Sequence, residues 1–521
     1  MMGNVFSKYK KDITTALKYY DQAVRINPDD HISLANIGVN LIQQGNPEEG
    51  EKYFLKSLEI NKEYPNTQYG LGLIAEMKGD LYTTFDKMIL TLKLSKNKDV
   101  LYNSCFRKVI SIAERIISGT DAKKLYIEYL HKLEFEGGKK IELIQDINLA
   151  TAAKIEIAEY YNADKHIVKY NPNYPAFEHL IKHELVHLDY ILKARNSGIN
   201  QVFVSNNEQK LNFIKNLEPF IKKLKKGGFT EESIDNFCSL LFNGMNTQVY
   251  NAPIDLFIEN FLYTEFPDLR SYQFLSMLGL IYESIKAVTD KNIVENTPKE
   301  IVSKSKTYNI VYALLFKELF GVDLINEFKA SPLEMKQANE FYEEFLEYKD
   351  DKQPGEEYEL VQHWAEDLRL NKYFELVGEE QYHKRFHLDD FLDSLEKDPY
   401  GLDETDPVKE REMKKFQKSQ AESGTNMAVV MYMVDALEYF ENLKTEEVKN
   451  IAVEIAMQGI HGYSPDKKDY MLRSVPDKKF SGYHILAYYY VSWSLAMPEM
   501  LDQLQLPYEK EYIMAQKINK H

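Results

Sequence analysis

Three side chains between Ala176 and Arg195 have the types and the spacing to activate a water molecule. His183, Glu184 and His187 spell His-Glu-x-x-His, and Leu180, Ile181, Leu185, Leu188, Ile191 and Leu192 recur around them with no proline or glycine between. That recurrence predicts one amphipathic helix. Residues four apart on a helix stand one above the other, so the two imidazoles project side by side and can share one divalent ion. Glu184 sits about 100° round from His183, off the ligand row but within reach of a water on that ion. Imidazole ligands with a carboxylate base beside them are the donor set of a zinc-dependent hydrolase. The same five-residue pattern also occurs on plain solvated helices, so its surroundings decide its meaning.

An ion that keeps one position for water needs a third protein ligand. Downstream, the run from Asn246 to Tyr263 predicts a helix with Asn251 as N-cap and Pro253 in its first turn. Asp255 and Glu259 lie four apart on it among apolar neighbours. Carboxylates on an apolar face are costly to bury unless paired or metal-bound, which makes this pair the source of the third ligand. Side-chain reach tips the expectation narrowly to Glu259, with Asp255 left open. His179, one turn before His183, extends the row of imidazoles. Three in a row on a straight helix cannot surround an ion, so His179 is expected to pack or to hydrogen-bond.

The elements that must position these groups come just before. Lys154–Tyr161 and Lys165–Asn171 each alternate like strands, and residues 162–164 between them suit the connection of a hairpin. Further upstream, Leu125–Leu130 reads as a helix or strand, Gly137 and Gly138 as a break, and Lys140–Ile144 as a strand.

Two strands followed by an apolar His-Glu-x-x-His helix resemble the core of the zincin metallopeptidases, of the gluzincin kind. The resemblance implies bound Zn²⁺, a peptide or protein substrate, and Glu184 as general base. In gluzincins the third ligand comes from a later helix, often with another acid four residues on that supports a ligand histidine. The usual order has Glu first, whereas here Asp255 precedes Glu259, so order favours Asp255 where reach favours Glu259. The extended His-Glu-x-x-His-x-x-Gly-x-x-His form does not fit, because Tyr190 and Lys193 stand at its last two fixed positions.

The first 118 residues carry an internal repeat. Gly45-Asn46 recurs as Gly79-Asp80 and Gly38 as Gly72, both at an interval of 34. Ala16, Tyr20 and Ala23 become Gly50, Phe54 and Ser57, and then Thr84, Met88 and Thr91 in a degraded third unit. This pattern resembles tetratricopeptide repeats. It implies either a groove for a peptide or protein partner or a helical brace for the next domain.

At 521 residues the chain suggests three domains. They are repeats over 1–118, a zincin-like domain over 119–345 with a small sheet, and a helical C-terminal domain over 346–521. The fold class is mainly α, in an α+β arrangement. A net charge of −17 argues against nucleic acid or anionic membrane as the main partner. Two cysteines, Cys105 and Cys238, are too few for a disulfide framework and fit a reducing, cytoplasmic setting. No run of apolar residues is long enough to span a membrane. Charged stretches between 346 and 420 read as loops or linkers, and a Met- and Val-rich helix is predicted from Asn426 to Asn442. His461 and His484 invite a catalytic reading, since distant histidines can stabilise an oxyanion, but satisfied core histidines are the better expectation. The function expected is therefore zinc-dependent peptide hydrolysis with docking through the repeats. The alternatives are a non-catalytic scaffold in which the zincin-like part is inert, and hydrolysis of a non-peptide amide.

Overall fold

The computed structural model describes residues 2–119, 122–149, 151–161, 163–383, 426–441, 443–458, 470–501 and 508–519. These are mainly helical, with three small sheets. The chain divides into two units, one of Met1–Gln201 with Pro219–Asn371 and another of Val202–Glu218 with Lys372–His521.

The first unit opens with antiparallel helix pairs. Ile13–Ile26, His31–Gln43, Pro47–Ile60, Pro65–Met77 and Leu81–Leu94 alternate, and Val100–Gly119 follows. The 34-residue interval is visible in three physical features. Positive φ recurs at Lys11 (54°), Gly45 (80°) and Gly79 (80°), the turn between paired helices. The next residue caps a helix in two of the three cases, Asp12 accepting from the Thr15 amide and Asp80 from that of Thr83. Finally, a large side chain on the second helix of each pair meets a small or polar partner on the first. The Tyr20 hydroxyl donates to Asn4 at 2.6 Å. Phe54 presses on Gly38 and Met88 on Gly72, where an added Cβ would come within 2.8 Å in either case.

After Lys124–Gly137 the chain turns at Gly138, whose φ of 69° suits glycine. It then forms strands β1 (Lys140–Gln145), β2 (Ala153–Glu156) and β3 (Lys165–Tyr170). β3 lies in the middle, parallel to β1 and antiparallel to β2. The expected pairing of the two later strands is present, but β2 ends at Glu156, and Ala158–Tyr161 is a short 3₁₀ turn instead of more strand. The His-Glu-x-x-His helix spans Phe177–Asn196. It is clamped to the helix Lys124–Gly137 at two points seven residues apart, hence on one face. Lys182 donates to the Leu125 carbonyl at 2.6 Å, and the Tyr129 hydroxyl donates to Asp189 at 2.6 Å.

The acid-bearing helix differs from its expected form. It does not begin at Asn251 but runs unbroken from Glu231 to Glu265, capped by Thr230, with Pro253 inside it. Proline has no N–H to give the Val249 carbonyl, a defect that breaks isolated helices. Here Val249, Ile254, Leu256, Phe257 and Ile258 are all buried, and their packing outweighs it. Two further helices, Arg270–Thr289 and Lys299–Phe320, close the unit. The unit extends past residue 345 because Glu357–Asp367 docks Trp364 flat on Phe341, with ring centroids 4.8 Å apart.

In the second unit the helix Met427–Phe440 packs with Thr445–Gln458, Gly482–Ala496 and Glu509–Ile518 around Val429, Met433, Ile455 and Tyr488. A hairpin pairs Tyr470–Leu472 with Val475–Phe480. The charged residues expected to form a loop at 398–407 lie outside the described residues.

The tightest repeat contact gives a sign test. A Cβ at Gly70 would fall 2.2 Å from the Phe54 ring, so Gly70→Ala should destabilise the repeats by about 1–3 kcal/mol. In the full chain this appears as faster amide exchange over Pro47–Met77. Gly244→Ala meets no atom within 4 Å and sits in a helix interior. It should slow exchange there, by about 0.5–1 kcal/mol.

Candidate metal centre

Four helices build the site, and burial sorts its residues into an open front and a closed back. In front, the side chains of His183 and His187 are each 11% exposed and that of Asp255 25%. Behind, Glu259 is 1% exposed and His179 0%. Glu184, on the same helix, is half-buried.

The front atoms converge. Asp255 Oδ1 lies 3.3 Å from His183 Nε2 and 3.3 Å from His187 Nε2. Yet this oxygen is buried and receives no hydrogen bond among the described residues. An unsatisfied buried carboxylate oxygen costs on the order of 1–3 kcal/mol or more. The arrangement has the dimensions of a tetrahedral cation site. With ligands about 2.0–2.2 Å from the ion, neighbouring ligand atoms in a tetrahedron stand about 3.3–3.6 Å apart. The donor types and the spacing therefore fit a zinc-sized ion.

Behind this set, Glu259 is fully partnered. Its Oε1 faces His183 Nδ1 at 3.0 Å and accepts from the Tyr312 hydroxyl at 3.2 Å. Its Oε2 faces His179 Nε2 at 3.0 Å and accepts from the Gln273 amide at 2.6 Å. A carboxylate only accepts, so His183 must carry its proton on Nδ1. That tautomer leaves the Nε2 lone pair pointing at the Asp255 side, the orientation a metal ligand needs.

Charge follows the same division. Burial would push Glu259 up, but His179 and His183 outweigh it and hold the carboxyl far below its ordinary range. Burial would likewise raise Asp255, and the two neighbouring imidazoles bring it below the usual value. For His183 burial acts downward, while Asp255 and Glu259 together raise it well above an ordinary histidine. The pocket thus favours positive charge between the two carboxylates.

Four of the five residues singled out for the site by sequence, His183, His187, Asp255 and Glu259, lie close together here, and Glu184 follows His183 on the same helix. His179 hydrogen-bonds behind the site, as expected, and stays out of the front. His484 is a core histidine in the second unit. It faces Asp435 at 3.0 Å, beside Lys478 and the Tyr488 hydroxyl, and stacks on Tyr432. Burial would raise Asp435, but His484 and Lys478 hold it well below the ordinary carboxylate range. His461 lies outside the described residues. Sequence reasoning missed Gln273, Ser276 and Tyr312. The available signal was two polar residues, Gln273 and Ser276, one turn apart in the mostly apolar run 272–282.

Comparison with protein families finds that residues 32–64 match the tetratricopeptide repeat. The match covers one helix pair, His31–Gln43 with Pro47–Ile60, and supports a protein-docking role for this region. Neither the curated proteins nor the solved structures give a match.

The two acids can be separated by zinc titration against a chelating indicator. Asp255→Ala should abolish tight binding, whereas Glu259→Gln should weaken it by about 10–100-fold, the usual cost of losing a group that orients a ligand. If Glu259 were the ligand, the two results would exchange.

Proposed function

We propose that the chain is a zinc-dependent peptidase of the zincin kind, with His183, His187 and Asp255 as ligands and Glu184 as general base. The observation that carries this reading is the buried Asp255 Oδ1, unbonded and equidistant from two imidazole nitrogens. Glu259 stands behind His183 as its orienting partner. This ordering, Asp255 in front and Glu259 behind, reverses the narrow preference that side-chain reach suggested.

Zn²⁺ bound there would polarise a substrate carbonyl and lower the pKa of a coordinated water to about 7. Glu184, half-buried and off the ligand row, would serve as general base toward a water on that ion and as proton donor to the leaving amine. His187 and Asp255 keep partial exposure at the front, while the buried back excludes water from the orienting carboxylate.

A peptide is favoured over a small amide by the neighbouring sheet. β2 packs on the His-Glu-x-x-His helix and pairs only with β3 among the described residues. Its other edge has no strand partner among the described residues, and such an edge can take an extended peptide by strand addition. The repeats supply docking for the substrate or for a partner protein. Cys105 and Cys238 are buried and unpaired, in keeping with work in the cytoplasm, and no described helix is long and apolar enough to cross a membrane.

Glu184→Gln is the decisive variant. It should keep one zinc per chain while hydrolysis of a mixed peptide library falls by about 10²–10⁴-fold. Undiminished hydrolysis at full zinc occupancy would remove Glu184 from the mechanism. A wild-type chain that binds no zinc would favour the scaffold reading.

A further inference from the structure

Behind the front set, one hydrogen-bonded line continues beyond Glu259. The Ser276 hydroxyl lies 2.5 Å from His179 Nδ1, and His179 Nε2 lies 3.0 Å from Glu259 Oε2. Glu259 Oε1 in turn faces His183 Nδ1 at 3.0 Å. His179, Glu259 and Ser276 are all essentially excluded from solvent.

His179, His183 and Glu259 are close enough together to hold an ion of their own. Their facing atoms, however, already satisfy one another. Glu259 only accepts, so His179 must present N–H from Nε2, while its Nδ1 is held by the Ser276 hydroxyl, which also reaches the Gln273 carbonyl at 3.2 Å. A second ion would have to displace every one of these bonds. The cluster reads as a relay of donors, each fixing the next.

We infer that His179, held by Ser276, is a positioning residue for the metal centre: it fixes Glu259, which fixes the ring and tautomer of His183. This rests on the metal reading proposed above. Its physical basis is that a carboxylate with two donors on each oxygen cannot rotate away from His183, and a ligand whose free N–H is anchored binds its metal more tightly. Three of the four donors are side chains from outside the ligand helix or one turn before the ligand. Gln273 holds the same Oε2 at 2.6 Å, so removing His179 leaves Glu259 in place with one donor fewer to fix its orientation.

The alternative is a cluster that merely stabilises the core. The two separate in the full-length chain by titration with Zn²⁺ and by the visible d–d absorption of the Co²⁺-loaded protein. His179→Phe should raise the zinc dissociation constant by about 10–100-fold and shift the cobalt spectrum. His179→Gln keeps an N–H donor and should restore most of both. Ser276→Ala should move both in the same direction by less, and it decides the matter if His179→Phe does not fold. A core-stabilising role would lower the melting temperature and leave zinc affinity and the cobalt spectrum unchanged, which overturns the inference. If the wild-type chain itself takes up no Zn²⁺ or Co²⁺, the metal reading fails and this inference with it. Normal uptake by the wild type, with variants unchanged to within about twofold, defeats the relay alone.

Discussion

Three potential ligand atoms brought to one point set the terms for this structure. His183 Nε2, His187 Nε2 and Asp255 Oδ1 meet at 3.3 Å contacts to that oxygen, which no donor satisfies. Buried acceptors repel one another unless positive charge sits among them. Against burial, the two carboxylates raise His183 above an ordinary histidine, so the pocket favours positive charge, which a divalent cation would supply. Everything around the site serves to hold these acceptors in place. The ligand helix is clamped through Lys182 and Asp189 on one face, so its other face can present histidines. The long helix carries Asp255 and Glu259 one turn apart, one to the open front and one to the closed back.

The helix Arg270–Thr289 ties this site to the repeats. Gln273 and Ser276 reach Glu259 and His179 from it. Between them in sequence, Phe274 meets Phe85 and Phe106 of the helices Leu81–Leu94 and Val100–Gly119, with centroids 5.9 and 6.5 Å apart. Gly321, with φ of 72°, ends the next helix against the backbone of Leu92 and Lys93, where an added Cβ would come within 2.5 Å. The repeat array is therefore part of the first unit's core and not a tethered module. A brace and a docking surface, which the sequence left as alternatives, are compatible in one such element.

What could be read in advance came from local pattern. The His-Glu-x-x-His helix, the 34-residue interval and the strand Lys165–Tyr170 are short-range features, and each appears where its periodicity placed it. Pro253 misled because proline and Asn251 signal a helix start locally, while the cost of proline inside a helix is offset by packing no window can see. The strand from Lys154 was cut short at Glu156 for a similar reason. His166, on the neighbouring strand, is buried and accepts the Ala158 amide at 3.0 Å, which ends the ladder. Which acid stands in front depended on how two helices face each other, a fact of tertiary geometry that reach and order could not supply. Gln273, Ser276 and Tyr312 were missed because their partners are far away in the chain. The joining of Val202–Glu218 to the C-terminal residues is equally long-range, made by Phe203 stacking on Phe374 and Asn216 bonding Tyr373.

The central claim, one cation held by His183, His187 and Asp255, is most directly tested by X-ray absorption at the zinc edge on the zinc-loaded wild-type chain. The account requires a four-coordinate N/O shell at about 2.0–2.2 Å, with the outer-shell scattering of two imidazoles. Asp255→Ala should lose that ordered shell. A shell with one imidazole or three, or one unchanged when Asp255 is removed, would contradict it.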